Sequence, residues 1–232
     1  MLKIAHRGAS AYEPENTLRA FRRAIELGAD MIELDVHLSR DGYPVIMHDA
    51  TVDRTTNGTG YVRDKTLAEL KELDAGKGER IPTLQEAMEL VRGKCGLYIE
   101  LKEREAAGPV VDAIHAEEFR DVIVASSDPY AVREVKRLDP EVPTSLLVGE
   151  TEADFVGLAS AVDADYIHLC WENKSPTPHK LLTPELLSSL HEHGLGVITW
   201  HEERPSEIRE LIKLGVDGIC SDKPDLIRRW IV

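Results

Sequence analysis

Several features that would mark large functional classes are scarce or missing in this sequence. Only three cysteines occur in 232 residues, Cys95, Cys170 and Cys220, and none stands in a CxxC spacing. Neither a disulfide framework nor a cysteine-ligated metal centre is expected, and Cys170 and Cys220, which follow apolar runs, read as buried free thiols. No apolar run reaches the ~18 residues of a membrane helix, so no membrane insertion is expected. The N-terminus passes directly into Leu2-Lys3-Ile4-Ala5, without the charged and apolar regions of a secretion signal. The cytoplasm is therefore the expected compartment. There is also no block of consecutive Lys or Arg, and 28 basic residues face 42 acidic ones for a net charge of −14. Nucleic-acid binders need a basic surface to replace counterions on phosphates, so no nucleic-acid partner is expected. An anionic membrane surface would repel the same balance. A small water-soluble ligand fits better, and an anionic one would need a local cationic pocket. The charge alone implies no more than solubility.

What is present is a globular composition, with 42% hydrophobic and 30% charged residues. Short apolar runs, expected as strands, lie at Leu2–His6, Met31–His37, Leu97–Lys102, Asp121–Ser126, Pro143–Val148, Asp165–Leu169, Gly196–Trp200 and Val216–Cys220. Amphipathic stretches between them predict helices at Thr17–Leu27, with Asn16 as N-cap, and at Val110–Glu118, Tyr130–Leu138, Pro184–His193 and Ser206–Leu214. Gly194 and Gly215 follow two of these as stop signals. Strands alternating with helices imply a parallel sheet. Eight of them in one compact unit suggest a closed (β/α)8 TIM barrel, the alternative being an open doubly wound sheet. No composition shift marks a linker, so residues 1–232 are expected to form one domain.

One segment breaks the rhythm. Asp41-Gly42 between two apolar runs predicts a hairpin, with a returning strand that brings His48 roughly opposite Asp35. Residues 41–84 then read as a small insertion after the second strand, made of loops and a short helix.

The chemistry follows from the strand ends, where barrels of this kind carry function. Glu33 and Asp35 are two apart, so both point to the same face, and Glu100 and Lys102 are again two apart. Ionised carboxylates inside a barrel are costly unless paired or bound to a metal. Three of them, with only Arg7 and Lys102 nearby, favour a hard divalent cation, Mg²⁺ or Ca²⁺. His6 and His48 end strands aimed at this cluster, which suits hydrolysis of a phosphodiester: one takes a proton from the nucleophile, the other gives one to the leaving alkoxide.

These residues stand in an ordered set: His6-Arg7-Gly8, Pro14-Glu15-Asn16-Thr17, Glu33-Leu34-Asp35-Val36, His48-Asp49, Glu100-Leu101-Lys102, then Gly215-Val216-Asp217-Gly218-Ile219 and Ser221-Asp222-Lys223-Pro224. The set resembles the glycerophosphodiester phosphodiesterase family over almost the whole chain. The resemblance implies a β/α barrel with an insertion after its second strand. It implies His6 and His48 as the acid/base pair, Glu33, Asp35 and Glu100 as metal ligands, and Arg7 and Lys102 as phosphate contacts. It also implies hydrolysis of a glycerophosphodiester to glycerol 3-phosphate and an alcohol. Asn16 is expected as a helix cap or a substrate contact.

The sequence departs from the family at the seventh strand end, where Trp-Thr-Val-Asn is common and Trp200-His201-Glu202-Glu203 stands here. Trp200 is expected as an apolar wall beside the substrate. His201 reads either as a new ligand contact or as an exposed loop residue, and Trp171 either reaches over the pocket or packs on the barrel top. His191-Glu192-His193 superficially resembles a metal motif, but two histidines two apart on a helix do not face each other. The rival readings are a lysophospholipase D-like activity on the same frame, against which the acidic balance argues, and a non-catalytic binding module, which predicts loss of a site residue where none is lost.

Overall fold

The computed structural model describes residues 1–230. Among the described residues nine strands form: β1 (Leu2–Ala5), β2 (Met31–Leu38), β3 (Pro44–Ile46), β4 (Gly96–Leu101), β5 (Val122–Ser126), β6 (Thr144–Val148), β7 (Tyr166–Leu169), β8 (Gly196–His201) and β9 (Gly218–Ser221). Eight of them pair in parallel, and β1 bonds to both β9 and β2, so the sheet closes into the TIM barrel. β3 hangs from β2 as the antiparallel arm of the expected hairpin. All eight expected strands are present, their ends shifted by one or two residues. They are near-continuous apolar runs because the barrel buries both faces. Inside lie Ile4, Met31, Tyr98, Ile123, Ala125, Ile198 and Cys220. Outside, larger clusters form between sheet and helices.

The helices are α1 (Leu18–Glu26), α2 (Leu67–Lys71), α3 (Leu84–Val91), α4 (Ala107–Ala116), α5 (Pro129–Leu138), α6 (Phe155–Val162), α7 (Pro184–Glu192), α8 (Pro205–Leu214) and α9 (Pro224–Arg228). Helix α1 is capped by Thr17, whose hydroxyl accepts from Ala20 N–H, and not by Asn16. Asn16 has φ +56°, in the left-handed region and not the extended conformation a cap adopts. Helix α4 starts earlier than expected because Pro109 sits in its first turn, where its missing N–H is not needed. Helix α3 carries an unread start signal, the capping box of Thr83 and Glu86. Helix α6 lacked a polar face to betray it, being almost wholly apolar. Among the described residues no helix is long and apolar enough to cross a membrane.

The segment between β2 and α3 is an excursion with its own small core of Val45, Met47, Val52, Val62, Leu70, Ala75 and Ile81. The hairpin turn spans Ser39–Tyr43, with Gly42 N–H donating to Ser39 C=O and Gly42 at φ +84°. The loop therefore holds three residues, Arg40–Gly42, and ends on a left-handed glycine, one residue more than a two-residue turn. The register is accordingly one step from the expected one: Met47 N–H, not His48, meets Asp35 C=O. His48 lies one residue beyond.

Candidate active site

The carboxylates come from two neighbouring strands in one register. Asp35 on β2 lies beside Glu100 on β4, and Glu33 beside Tyr98. Period-two alternation turns Glu33, Asp35 and Glu100 to the barrel interior. Their ligand oxygens all fall within 4.8 Å of one another. Glu33 is 2% and Asp35 1% exposed. Lys102 Nζ stands 2.8 Å from Asp35 Oδ1 and 2.6 Å from Glu100 Oε1. Arg7 donates its backbone N–H to Glu33 Oε2 at 2.7 Å. Its guanidinium reaches Glu15 Oε1 at 2.9 Å and lies 3.5 Å from Asp35 Oδ2, with Nε buried and unpartnered.

The loop after β1 is strained where it meets this cluster. Arg7 and Asn16 both have φ above +50°, which only Gly adopts freely. Gly8 lets the loop lie on α1, since a Cβ there would stand 2.8 Å from Ala20. The strain has a use at Asn16: its buried amide donates to Asp35 Oδ2 at 2.8 Å. Asn16 thus holds a carboxylate of the cluster, a role neither expected of it nor signalled by local sequence.

The burial that surrounds the cluster divides its electrostatics. Burial, and then Asp35, push the Glu33 carboxyl up to about 8. Burial works against ionised Asp35 too, but Lys102 and Arg7 overcome it and hold that carboxyl below its ordinary range. The result is a set of hard oxygen donors with less cationic compensation than it needs, the setting that suits a divalent cation.

Two imidazoles flank the cluster, each tied through Nδ1 to a carboxylate. His6 Nδ1 is 2.6 Å from Asp222 Oδ1, and His48 Nδ1 is 2.6 Å from Asp49 Oδ1. Burial lowers the His6 pKa, but the Asp222 bond and Glu33 outweigh it and leave the pKa raised. Asp222 also accepts from Ser10 Oγ. Arg54 clamps the second pair, donating to both oxygens of Asp49 and both of Glu15. Glu15 in turn receives Arg7, so the insertion and the first loop are joined by charge-assisted bonds. Asp222 stands in the ordered set that carries the resemblance, but neither it nor Arg54 is assigned a role by it.

The departures at β8 sort themselves by geometry. A bulge between Thr199 and His201 sets His201 opposite Cys220, on the inward face. Its ring stacks on His6 with centroids 4.7 Å apart and planes within 2°. His201 is therefore no exposed loop residue. Trp200 lines the same cavity but is 1% exposed, its N–H donating to Glu202 Oε2 and its ring lying 6.1 Å from Trp171. Trp171 packs into the barrel top, its N–H on Glu150 C=O. Glu202 is neutralised by Arg204 at 2.6 Å. Glu203 accepts from Ser221 Oγ and Asp222 N–H, with its second oxygen buried and unpartnered. His191 bonds Asp217 at a helix end, away from the cluster.

Comparison with known sequences matches residues 6–226 to the glycerophosphoryl diester phosphodiesterase family. The chain belongs to that family. It is accordingly a phosphoric diester hydrolase. A glycerophosphodiester phosphodiesterase of Caldanaerobacter subterraneus subsp. tengcongensis is 41% identical over 240 residues, covering 97% of this chain and 96% of the relative. A phosphodiesterase of Oleispira antarctica, solved with its product sn-glycerol-3-phosphate, superposes with TM-score 0.89 at 31% identity, covering 98% of this chain and 95% of the other. The Thermotoga maritima glycerophosphodiester phosphodiesterase superposes at TM-score 0.84 and 30% identity, covering 100% and 99%.

Proposed function

We propose that the chain hydrolyses glycerophosphodiesters to glycerol 3-phosphate and an alcohol. His6 and His48 act as general acid and base, beside a divalent cation, Mg²⁺ or Ca²⁺, held by Glu33, Asp35 and Glu100. The observation that carries the reading is the pair of aspartate-bound imidazoles on either side of one carboxylate cluster. The substrate is supported by the relatives' names and by the product in the Oleispira antarctica enzyme.

The donor set fits a hard cation on its chemistry: all three groups offer carboxylate oxygen, and two are almost sealed from water. A divalent cation there supplies charge to the phosphoryl oxygens and polarises the phosphorus centre. The protein's own part is positioning and proton transfer. With Nδ1–H held by aspartate, each neutral imidazole keeps Nε2 as the working atom. One Nε2 accepts the nucleophile's proton and the other, protonated, donates to the leaving oxygen. Arg7 and Lys102 hold phosphoryl oxygens and offset developing charge. Trp200 forms the apolar wall behind His201.

The test is turnover of water-soluble glycerophosphodiesters, with and without chelator, by the native protein and by His6→Ala and His48→Ala. Each variant should lose about 10²–10⁴-fold in turnover with an unchanged circular dichroism spectrum. A fully active variant refutes that histidine's role, and full activity in chelator refutes the cation's.

A further inference from the structure

The barrel interior below the carboxylates holds a polar chain that the reaction leaves unused. Tyr98 Oη on β4 is 2.8 Å from Ser145 Oγ on β6 and 2.8 Å from His168 Nδ1 on β7. The Tyr98 and His168 rings meet edge to face at 5.5 Å. Ser145 is 0%, Tyr98 1% and His168 6% exposed. Interiors of such barrels are filled by Val, Ile and Leu, and polar groups there are costly unless each is bonded.

Counting donors locates the protons. The contact between the two hydroxyls can be donated from either side. Ser145 is fully buried and makes no other side-chain hydrogen bond among the described residues, so its proton is satisfied only on Tyr98 Oη. The proton of Tyr98 then goes to His168 Nδ1, and the ring hydrogen of neutral His168 sits on Nε2. Burial supports this by holding the His168 imidazole down at about 3, so it stays uncharged.

Nε2 makes no hydrogen bond among the described residues. Among the described residues the buried side-chain atoms without partners are Arg7 Nε and Glu203 Oε2; His168 Nε2 is not one of them, so it keeps access to the cavity. That cavity, of about 80 Å³, is lined by His168 together with His6, Glu33, Glu100, Glu172 and His201. It places the N–H of neutral His168 among carboxylate acceptors. A hydroxyl is the substrate group matched to this set, because it accepts from the one and donates to the other.

We propose that His168 is a substrate-binding residue whose Nε2–H donates to a hydroxyl oxygen of the glycerol arm, with Tyr98 and Ser145 fixing its tautomer. This rests on the glycerophosphodiester reading. The experiment measures kcat and KM separately for native protein, His168→Ala and His168→Gln. One substrate is glycerophosphoethanolamine; the other is bis(p-nitrophenyl) phosphate, a diester with no free hydroxyl. Thermal midpoints are recorded for each variant. His168→Ala should raise KM for the glycerol substrate roughly tenfold, the loss of one hydrogen bond, with kcat and the aryl diester little changed. His168→Gln, which places an amide N–H near Nε2, should restore most of it. An unchanged KM, or equal losses on both substrates, overturns the inference. Should His168→Ala not fold, Tyr98→Phe, which frees the tautomer and leaves the ring in place, must give the same glycerol-selective rise in KM; no selectivity overturns it. Native protein that turns over no glycerophosphodiester removes the substrate reading as well, whereas active native protein with an unaffected His168→Ala removes this inference alone.

Discussion

Cation binding to the carboxylate cluster should strengthen steeply with pH, and Glu33 sets the size of the effect. Its carboxyl is pushed from 4.5 up to about 8 by burial and by Asp35. Between these values the unfolded chain has lost this proton while the cation-free fold keeps it. The fold binds more protons in that window, so stability of the cation-free protein falls as pH rises from about 5 to about 8. At 1.36 kcal/mol per pH unit the displacement corresponds to about 5 kcal/mol at most, shared with the groups coupled to it. A cation must displace the same proton, because only the ionised carboxylate ligates. Apparent affinity should therefore rise about tenfold per pH unit up to 8, so the stabilisation at a fixed cation concentration should be about 3 kcal/mol greater at pH 8 than at pH 6. For a chain of this length that is a difference of roughly 6–12 °C in Tm. The assay is thermal unfolding from pH 5.5 to 8.5, in chelator and in millimolar Mg²⁺ or Ca²⁺. Glu33→Gln, which carries no such proton, serves as the control and should flatten the pH dependence of the increment. A cation increment independent of pH in the native protein, or an equally steep one in Glu33→Gln, refutes the reasoning.

Other outcomes follow from the same contacts. Asp222→Asn and Asp49→Asn keep shape but remove the negative charge beside Nδ1; each should cut turnover by about 10²-fold and shift the pH–rate profile, while thermal midpoints stay near native. Asn16→Ala removes the donor to buried Asp35 and puts at φ +56° a residue that tolerates the left-handed region less well than Asn. It should cost about 2–4 kcal/mol in urea unfolding, and Asn16→Gly, which keeps the backbone freedom, should cost less. Burial pushes the Cys95 and Cys170 thiols up to about 11 and about 12, and Cys220 is fully buried, so native protein at pH 8 should resist Ellman's reagent and release three thiols on denaturation.

Periodicity and strand-end chemistry made the barrel and its five candidate site residues legible, because both signals are local. Glu33 and Asp35 share a face by alternation alone, and parallel β2 and β4 bring Glu100 alongside without any further assumption. What the sequence hid was long-range. Asp222 is 216 positions from His6, and nothing local to either residue indicates the bond. Asn16 looked like a cap because caps and left-handed residues draw on the same side chains. The two readings of His201 stayed open in sequence because a bulge, invisible there, reverses inward and outward at the end of β8. The Tyr98–His168 chain escaped because lone interior polar residues resemble ordinary strand composition.

The long-range bonds also say why the two ends of the chain must meet for the site to exist. His6 leaves β1 with its backbone N–H on Ser221 C=O, and the next residue, Asp222, holds its ring. Closure of β1 on β9 therefore builds the first aspartate–imidazole pair in the same step that seals the barrel. The second pair is independent of closure: it rides on the insertion, whose own apolar cluster seats Met47 beside His48, and Arg54 ties it to Glu15 on the first loop. Lesions at the β1–β9 seam should thus disable His6 together with global stability. Lesions in the insertion core, such as Leu70→Ala, should displace His48 and lower turnover before the barrel melts, because a packed satellite can open locally at less cost than the whole.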